Sequence, residues 1–497
     1  MGAGNAARAI AWCAAITVTA RHAVGDWQLA RTLAWLRHAG DEPTAGQQLP
    51  PVHVIVPVLR EQEHVSAALE WWRQILPQFP GISLTIVSTA REESERDLLA
   101  AAACSAGRLT RTGFPQLSDS ELAALTSARV SAGGQLGQGT AAKILARTPL
   151  TREVVGQLLA REDPSRIRHL TYPGTGRKAA QVNYAARSLP ASGYLAVYDV
   201  DSRPGAELLA RTYALLSRPG EEPAVVQQHA LHAATRAGQP LARRVLVCGS
   251  AALQSMWTLR REIPYARRYQ QSAGRPGIVA RLRAGLPQPV GHGVFLRQDV
   301  LVQLGGLPEM TVLDDVPAGV PIALRGIPVL SVAAVTTVPA PGTVGEVIAQ
   351  HRRWFCSYLD YPAVLCAAAR ASPGHAGHRY LLSGIAAYRG AAWLAAGPLT
   401  AVTLAAAAWP RSGRKLRVTA CAGLILATVV PAVIVTSARQ GPVPAGQAAR
   451  HSGELLAAYL LRSAGPWLAV WDAVRGRHPA SAAAPSPKTH RREGAEP

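Results

Sequence analysis

The run Leu195-Ala-Val-Tyr-Asp-Val-Asp201 constrains the fold more than any other stretch of this chain. It is an apolar strand pattern that ends in two carboxylates one residue apart. A strand sends alternate side chains to one face, so Asp199 and Asp201 are expected to point the same way where the strand runs out. Two hard oxygen ligands in one place suit Mg2+ or Mn2+ held against a diphosphate. A small divalent cation prefers one or two carboxylates plus substrate phosphate oxygens to an all-protein cage. The plainer alternative is a solvated turn at a strand end.

Other motifs keep it company. Val52-His-Val-Ile-Val-Pro57 is a strand pattern closed by Pro, followed by Leu59-Arg-Glu-Gln-Glu63 and a helical stretch over 65–76. It reads as the opening βα unit of an α/β domain, in which ligands sit beyond the carboxyl ends of the strands. Gly174-Thr-Gly-Arg-Lys-Ala-Ala-Gln-Val-Asn183 is a Gly-containing loop leading into a helix just before the Asp199 strand. A helix N-terminus with Arg177 and Lys178 beside it is a ready anion site. Farther along stand Gly291-His-Gly293, Gly305-Gly306, Leu313-Asp-Asp315 and Gln350-His-Arg-Arg-Trp354.

In this order, these motifs make residues 50–362, about three-fifths of the chain, resemble a membrane-bound family 2 glycosyltransferase of the cellulose-synthase-like kind. The resemblance implies a GT-A-type α/β fold: a nucleotide-sugar-binding domain with a mainly parallel central sheet, followed by C-terminal transmembrane helices. It also implies roles. Asp199 and Asp201 would be the nucleotide-sugar and metal carboxylates, and Asp315 the catalytic base, with Asp314 beside it on the substrate. A base must lie within hydrogen-bond reach of the acceptor hydroxyl. A helix cap is the plain reading of Asp315, with Pro317 in the first turn. Gln350, Arg353 and Trp354 match the motif that lines the acceptor side and contacts the diphosphate. Arg suits phosphate through its bidentate fork, although three residues at i, i+3 and i+4 share a face in any amphipathic helix. Lys178 would screen the donor diphosphate. His292, between two glycines, is either a place where the backbone approaches the acceptor or a structural histidine.

Three features depart from the family pattern. After the strand Ile82-Ser-Leu-Thr-Ile-Val87 the family places Asp residues for the nucleotide base and ribose; here Ser88-Thr-Ala-Arg-Glu92 follows, leaving Glu92 or Glu93 as substitutes. The acidic pair at 314 and 315 reads Asp-Asp instead of Glu-Asp. An extra segment covers residues 108–163. Within it Ser118-x-x-Glu121 reads as a capping box, and Gly133-Gly-Gln-Leu-Gly-Gln-Gly139 as a flexible linker.

Two 20-residue runs, 390–409 and 418–437, are long enough at about 1.5 Å per residue to span a hydrocarbon core of about 30 Å. Neither run contains a charged residue. A third run, 455–474, is interrupted by Arg462, Pro466 and Asp472 and reads as interfacial or bundle-buried. The segment 1–49 is apolar over 10–20 but too short there to span, and 363–389 is expected to form interfacial helices. The chain is thus expected to be a multi-pass plasma-membrane protein with its catalytic domain in the cytoplasm, where nucleotide-sugars are made. That orientation puts the basic loop Arg411-Ser-Gly-Arg-Lys-Leu-Arg417 outside, against the positive-inside rule.

A net charge of +21 raises nucleic-acid binding as a class, yet only four of the 52 basic residues are Lys and the Arg are scattered among Ala and Gly. No basic, aromatic-interleaved face results, so no nucleic-acid partner is expected and an anionic membrane surface is. The six cysteines show no paired spacing, which excludes a zinc pattern and a disulfide framework. Residues 478–497 are read as a disordered basic tail, in which Lys488-Thr-His-Arg-Arg492 resembles a Lys/Thr element of related membrane transferases.

The expected activity is inverting, metal-dependent transfer of a sugar from a nucleoside diphosphate to a hydroxyl of a lipid-linked or glycan acceptor, with Mg2+ or Mn2+ as cofactor. With few membrane runs, a polymer channel would need a partner membrane protein. The rival readings are a polyprenyl-phosphate sugar transferase, which needs no base, and an inactive membrane-anchored scaffold that binds nucleotide-sugar.

Overall fold

The computed structural model describes residues 3–38, 49–110, 114, 117, 119–190, 192–218, 222–234, 240–289, 291–313, 315–371, 376–440 and 444–476. Asp314, Ser118 and the tail 478–497 lie outside the described residues. Seven strands, β1 (Val52–Pro57), β2 (Ile82–Thr89), β3 (Ile167–Tyr172), β4 (Tyr194–Val197), β5 (Val225–Ala233), β6 (Val294–Arg297) and β7 (Val329–Pro339), form one sheet in the order β3-β2-β1-β4-β6-β5-β7. β3, β2, β1 and β4 are mutually parallel, while β6 runs antiparallel to both β4 and β5. The mixed α/β architecture with a mostly parallel sheet is therefore as expected.

Burial explains the strand patterns. All four residues of β4 are buried, and in β1 only His53 is not fully so. Strands covered on both faces read as continuous apolar runs, which is why 194–198 lacks polar alternation. The helix Gln62–Ile75 buries Val65, Ala68, Leu69, Trp72 and Ile75, the spacing of a single helical stripe, with Trp72 edge-on to Tyr198 just after β4. Burying a side chain such as Leu69 stabilises the fold by about 1.5–3 kcal/mol.

The chain divides into two compact units. The first comprises Glu42–Gln228, Gln288–Val332 and Ala480–Pro497 and holds most of the sheet. Its chain passes from β1 to β2 on one side and later returns to place β4 on the other side of β1. That reversal between β1 and β4 is the topological switch point of an open α/β sheet, where the carboxyl ends of the strands leave a crevice.

The extra segment after β2 is mainly helical: Asp119–Ser131, Gln138–Arg147 and Thr151–Leu159. The first two, together with the helix Arg96–Ser105, enclose a small apolar cluster around Leu99, Phe114, Leu125 and Leu145. The expected linker shrinks accordingly. Gly133 and Gly134 make a left-handed turn with φ of +67° and +97°, and Gly139 already belongs to the next helix.

The second unit, Met1–Asp41, His229–Pro287 and Ala333–Pro479, is dominated by helices. Its first helix, Ala3–His38, runs for 36 residues, about 54 Å at the usual rise. Helix Leu241–Trp257 lies so close to helix Ala445–Leu461 that a Cβ on Gly249 would run into the Glu454 carbonyl. Small residues allow this approach, as they do where helices pack in membranes.

Among the described residues one helix, Arg414–Ser437, is long and apolar enough to cross a membrane. It includes the expected span 418–437. The expected span 390–409 is not one helix: it breaks between Ala376–Leu394 and Ala396–Ala408, which bend by 46° and satisfy the length and composition test only as a pair. The 455–474 run is also split, into the helices Ala445–Leu461 and Ala464–Val474. Arg462 and Ser463 fill the break.

Candidate active site

The strand leading to Asp199 and Asp201 stops earlier than its apolar pattern suggests. β4 ends at Val197, and Asp199 and Asp201 lie in the turn that follows, where the Ser202 amide donates to the Asp199 carbonyl at 2.9 Å. Strand alternation therefore does not bring the two carboxylates to one face; the turn carries them. The turn is anchored from below. Tyr198 is buried, its ring edge-on to Trp72 and Phe295, and its hydroxyl donates to Gln228 Oε1 at 2.7 Å. Gln228 in turn donates to Thr212 Oγ1 at 2.8 Å. Burial pushes the Tyr198 phenol well above its ordinary pKa, so it is a neutral anchor.

Lys178 opens the helix Lys178–Arg187 after the Gly174–Gly176 loop. Its Nζ donates to Asp199 Oδ1 at 2.9 Å and to the Gly291 carbonyl at 2.6 Å. The structure thus brings together three motifs that are far apart in sequence. The Lys178 and Asp199 side chains keep 25% and 35% exposure, enough to meet a ligand. Gln181 on the same helix is buried and donates to the carbonyls of Val58 and Val87 at 3.1 and 3.0 Å, fastening the carboxyl ends of β1 and β2. Asn183, two residues on, receives the Leu307 amide and donates to the Leu307 carbonyl, holding the Gly305-Gly306 turn.

His292 sits in a loop locked by backbone contacts. Gln227 donates to its carbonyl at 3.2 Å, and the Gly293 amide donates to Val197 at 2.7 Å. Gly293 has φ of +66°, and a Cβ there would lie 2.7 Å from Gln228 Oε1, so glycine is required on two counts. Asp315 is the first residue of the helix Asp315–Leu324.

The expected substitutes for the absent Asp after β2 have other tasks. Glu92 is buried, and its carboxylate receives the Thr151 amide at 3.1 and 3.2 Å and Gln62 Nε2 at 2.6 Å. Burial raises its pKa, and the hydrogen bonds from Thr151 oppose that rise. Glu93 pairs with Arg152 at 2.9 Å. Ser88 shares its hydroxyl with His169 at 2.8 Å and Thr171 at 3.2 Å.

Arg60, just after β1, escaped the sequence reading. Its backbone is left-handed at φ +55°, and its buried guanidinium pairs with buried Glu121 at 3.3 Å and donates to the Glu92 carbonyl at 2.7 Å. Glu121 is thus a salt-bridge partner for Arg60. No local pattern could have pointed to this, because Arg60 resembles any loop arginine.

Gln350, Arg353 and Trp354 belong to the helical unit, on the helix Val344–Ala371. Gln350 Oε1 accepts from Gln254 at 2.9 Å, and the Trp354 ring meets those of His232 and His351 at 6.4 and 6.0 Å. The motif therefore has packing partners of its own within that unit.

Among the described residues no group of three or more His, Cys, Asp or Glu side chains is gathered for a metal. Asp199 and Asp201 supply two partly exposed carboxylates on one turn. That donor set fits Mg2+ or Mn2+ completed by substrate oxygens, and does not fit an all-protein site.

No protein-family model matches the chain, and no curated protein matches it. Among solved structures it is similar to the mannosyltransferase PcManGT from Pyrobaculum calidifontis in complex with GDP-Man and Mn2+. The two share 17% identity over 84% of this chain and 97% of that one, with a TM-score of 0.40, too low a likeness to assign a site or an activity.

Proposed function

We propose that the chain is a glycosyltransferase that moves a sugar, with inversion, from a nucleoside diphosphate to an acceptor hydroxyl at the cytosolic face of a membrane. The observation that carries this reading is the Lys178–Asp199 pair, set beside Gly291 at the switch point between β1 and β4. An ammonium, a helix N-terminus and two carboxylates there meet the needs of a diphosphate and its counter-cation. Asp199 and Asp201 would hold Mg2+ or Mn2+, which when bound offsets the charge of the departing diphosphate.

Lys178 supplies a further positive charge against the diphosphate, a charge-assisted hydrogen bond in place of the one it makes to Asp199. The sequence resemblance assigns the proton from the acceptor hydroxyl to Asp315, and the acceptor side to Gln350, Arg353 and Trp354, with His292 beside the acceptor. Asp314 stands next to the base in that assignment. The apolar helix Arg414–Ser437 supports membrane attachment, and a lipid-linked or glycan acceptor fits an enzyme held there.

The test is nucleoside diphosphate release by the detergent-purified full chain across a panel of nucleotide-sugars, with Mg2+ or Mn2+ and with chelator, and with membrane lipid extract as acceptor. Metal-dependent release from one donor, lost in Asp201→Ala and Asp315→Asn, is expected. Release from no donor, or release that survives both substitutions, would overturn the reading.

A further inference from the structure

Four arginines meet around one small cavity in the helical unit. Arg21 and His22 of the helix Ala3–His38, Arg260, Arg261, Tyr459 and Arg462 line it. Arg260 and Arg261 are carried on a π-helical turn, Thr258–Glu262. A second π turn, Ile425–Val429, presents the Leu426 carbonyl, which accepts from Arg260 Nη2 at 3.1 Å. Turns of this kind are rare and recur at functional sites.

The charges around the cavity do not balance. Asp26 pairs with Arg260. Among the described residues the Arg261 side chain donates to the Arg21 carbonyl, at 3.0 Å, and that of Arg21 to the Ala392 carbonyl, at 3.4 Å. The Arg462 guanidinium lies over the Trp257 ring at 5.1 Å. Among the described residues Arg21, Arg261 and Arg462 have no ion-pair partner. The Arg260 side chain is buried, and its Nε has no hydrogen-bond partner. Like charges gathered away from bulk water repel strongly unless an anion joins them.

We propose that this cavity is a binding site for a phosphate monoester or diphosphate group, with Arg21, Arg261 and Arg462 as its donors and the Arg260–Asp26 pair as its fixed floor. Guanidinium forks match phosphate oxygens two at a time, and three unmatched positive charges call for an anion of more than one negative charge. The cavity measures about 20 Å3, room for one water-sized atom and so for one phosphate oxygen. Arg21, Trp257, Arg261 and Arg462 are only half-buried, which leaves a way in for the rest of the group. A phosphate borne on a lipid headgroup presents the same oxygens to these guanidinium groups as a free one. The inference is independent of the transferase reading, because it concerns other residues and its test needs no turnover.

Binding to the detergent-purified full chain is measured by titration calorimetry with two probes, inorganic pyrophosphate and dioctanoyl phosphatidic acid, beside dioctanoyl phosphatidylcholine. Binding of pyrophosphate alone assigns the site to a free phosphate, and binding of phosphatidic acid but not phosphatidylcholine assigns it to a lipid headgroup. In either case Arg261→Gln and Arg462→Gln each weaken the affinity at least tenfold, whereas Arg411→Gln, in the exposed basic loop, leaves it unchanged. Where a glutamine variant does not fold, Arg462→Lys keeps the charge without the planar fork and still weakens binding several-fold. No binding of either phosphate probe at millimolar concentration, equal binding of phosphatidylcholine, or unchanged affinity in the cavity variants overturns the proposal.

Discussion

Glu121→Gln is the substitution whose consequence the structure sets most closely. The Arg60 and Glu121 side chains are both buried and lie 3.3 Å apart. Removing the carboxylate leaves a buried guanidinium with its bond to the Glu92 carbonyl at 2.7 Å but without its ion-pair partner. Breaking a buried pair from one side costs about 3–5 kcal/mol. The effect should be local, because Glu121 belongs to the helix Asp119–Ser131 while Arg60 ends the first βα turn. Hydrogen exchange read peptide by peptide is therefore the assay, since it reports opening of each segment separately. Amides of that helix should lose about two to three and a half powers of ten in protection, with peptides from β1 and β4 little changed. The double variant Arg60→Met with Glu121→Leu should recover most of the loss, because neither member of the pair is left buried without the other. Protection of the helix within threefold of the parent in Glu121→Gln would refute the reasoning.

Three further outcomes are expected. Lys178→Met removes a charge-assisted bond worth about 1.5–3 kcal/mol when buried; discounted for its partial exposure, the loss should raise the KM for the nucleotide-sugar about tenfold, and an unchanged KM in the release assay would count against Lys178 as a diphosphate contact. Gly293→Ala places a Cβ 2.7 Å from Gln228 Oε1 at φ +66°. With about 1–2 kcal/mol of backbone strain alone, the melting temperature should fall by about 2–8 °C, and a transition at the parent's temperature would show that the loop is not locked as described. Burial raises the Glu92 pKa, so the folded protein holds that proton more tightly than the unfolded chain does. The cost of ionising Glu92 is therefore full above the raised value and disappears as pH falls to the ordinary carboxylate range. Glu92→Gln should show a smaller gain in melting temperature than the parent between about pH 7.5 and about pH 5, and an identical gain in both proteins would exclude Glu92 as the source.

Much of the strand framework was legible because its signal is local. The apolar runs at 52–57 and 82–87 became β1 and β2, the 195–201 run gave β4 only as far as Val197, and the Gly174-to-Asn183 loop led into a helix where expected. The role of Asn183 and the Gly305-Gly306 turn was half legible: both stood out as motifs, and only the fold showed that each holds the other. The span at 390–409 misled because composition cannot register a break at Ala395. Glu92 misled for a different reason, since a carboxylate at the right position in sequence had already been taken by Thr151 and Gln62.

What the sequence by itself determined was the set of elements and the order of their polar ends, since hydrophobic periodicity acts over a few neighbouring residues. The tertiary structure decided which polar groups meet. Lys178 finds Gly291 across 113 residues and Arg60 finds Glu121 across 61. Arg260 reaches Asp26 across 234. No local pattern encodes such pairings, because each depends on the crossing of elements whose own sequences are satisfied without it.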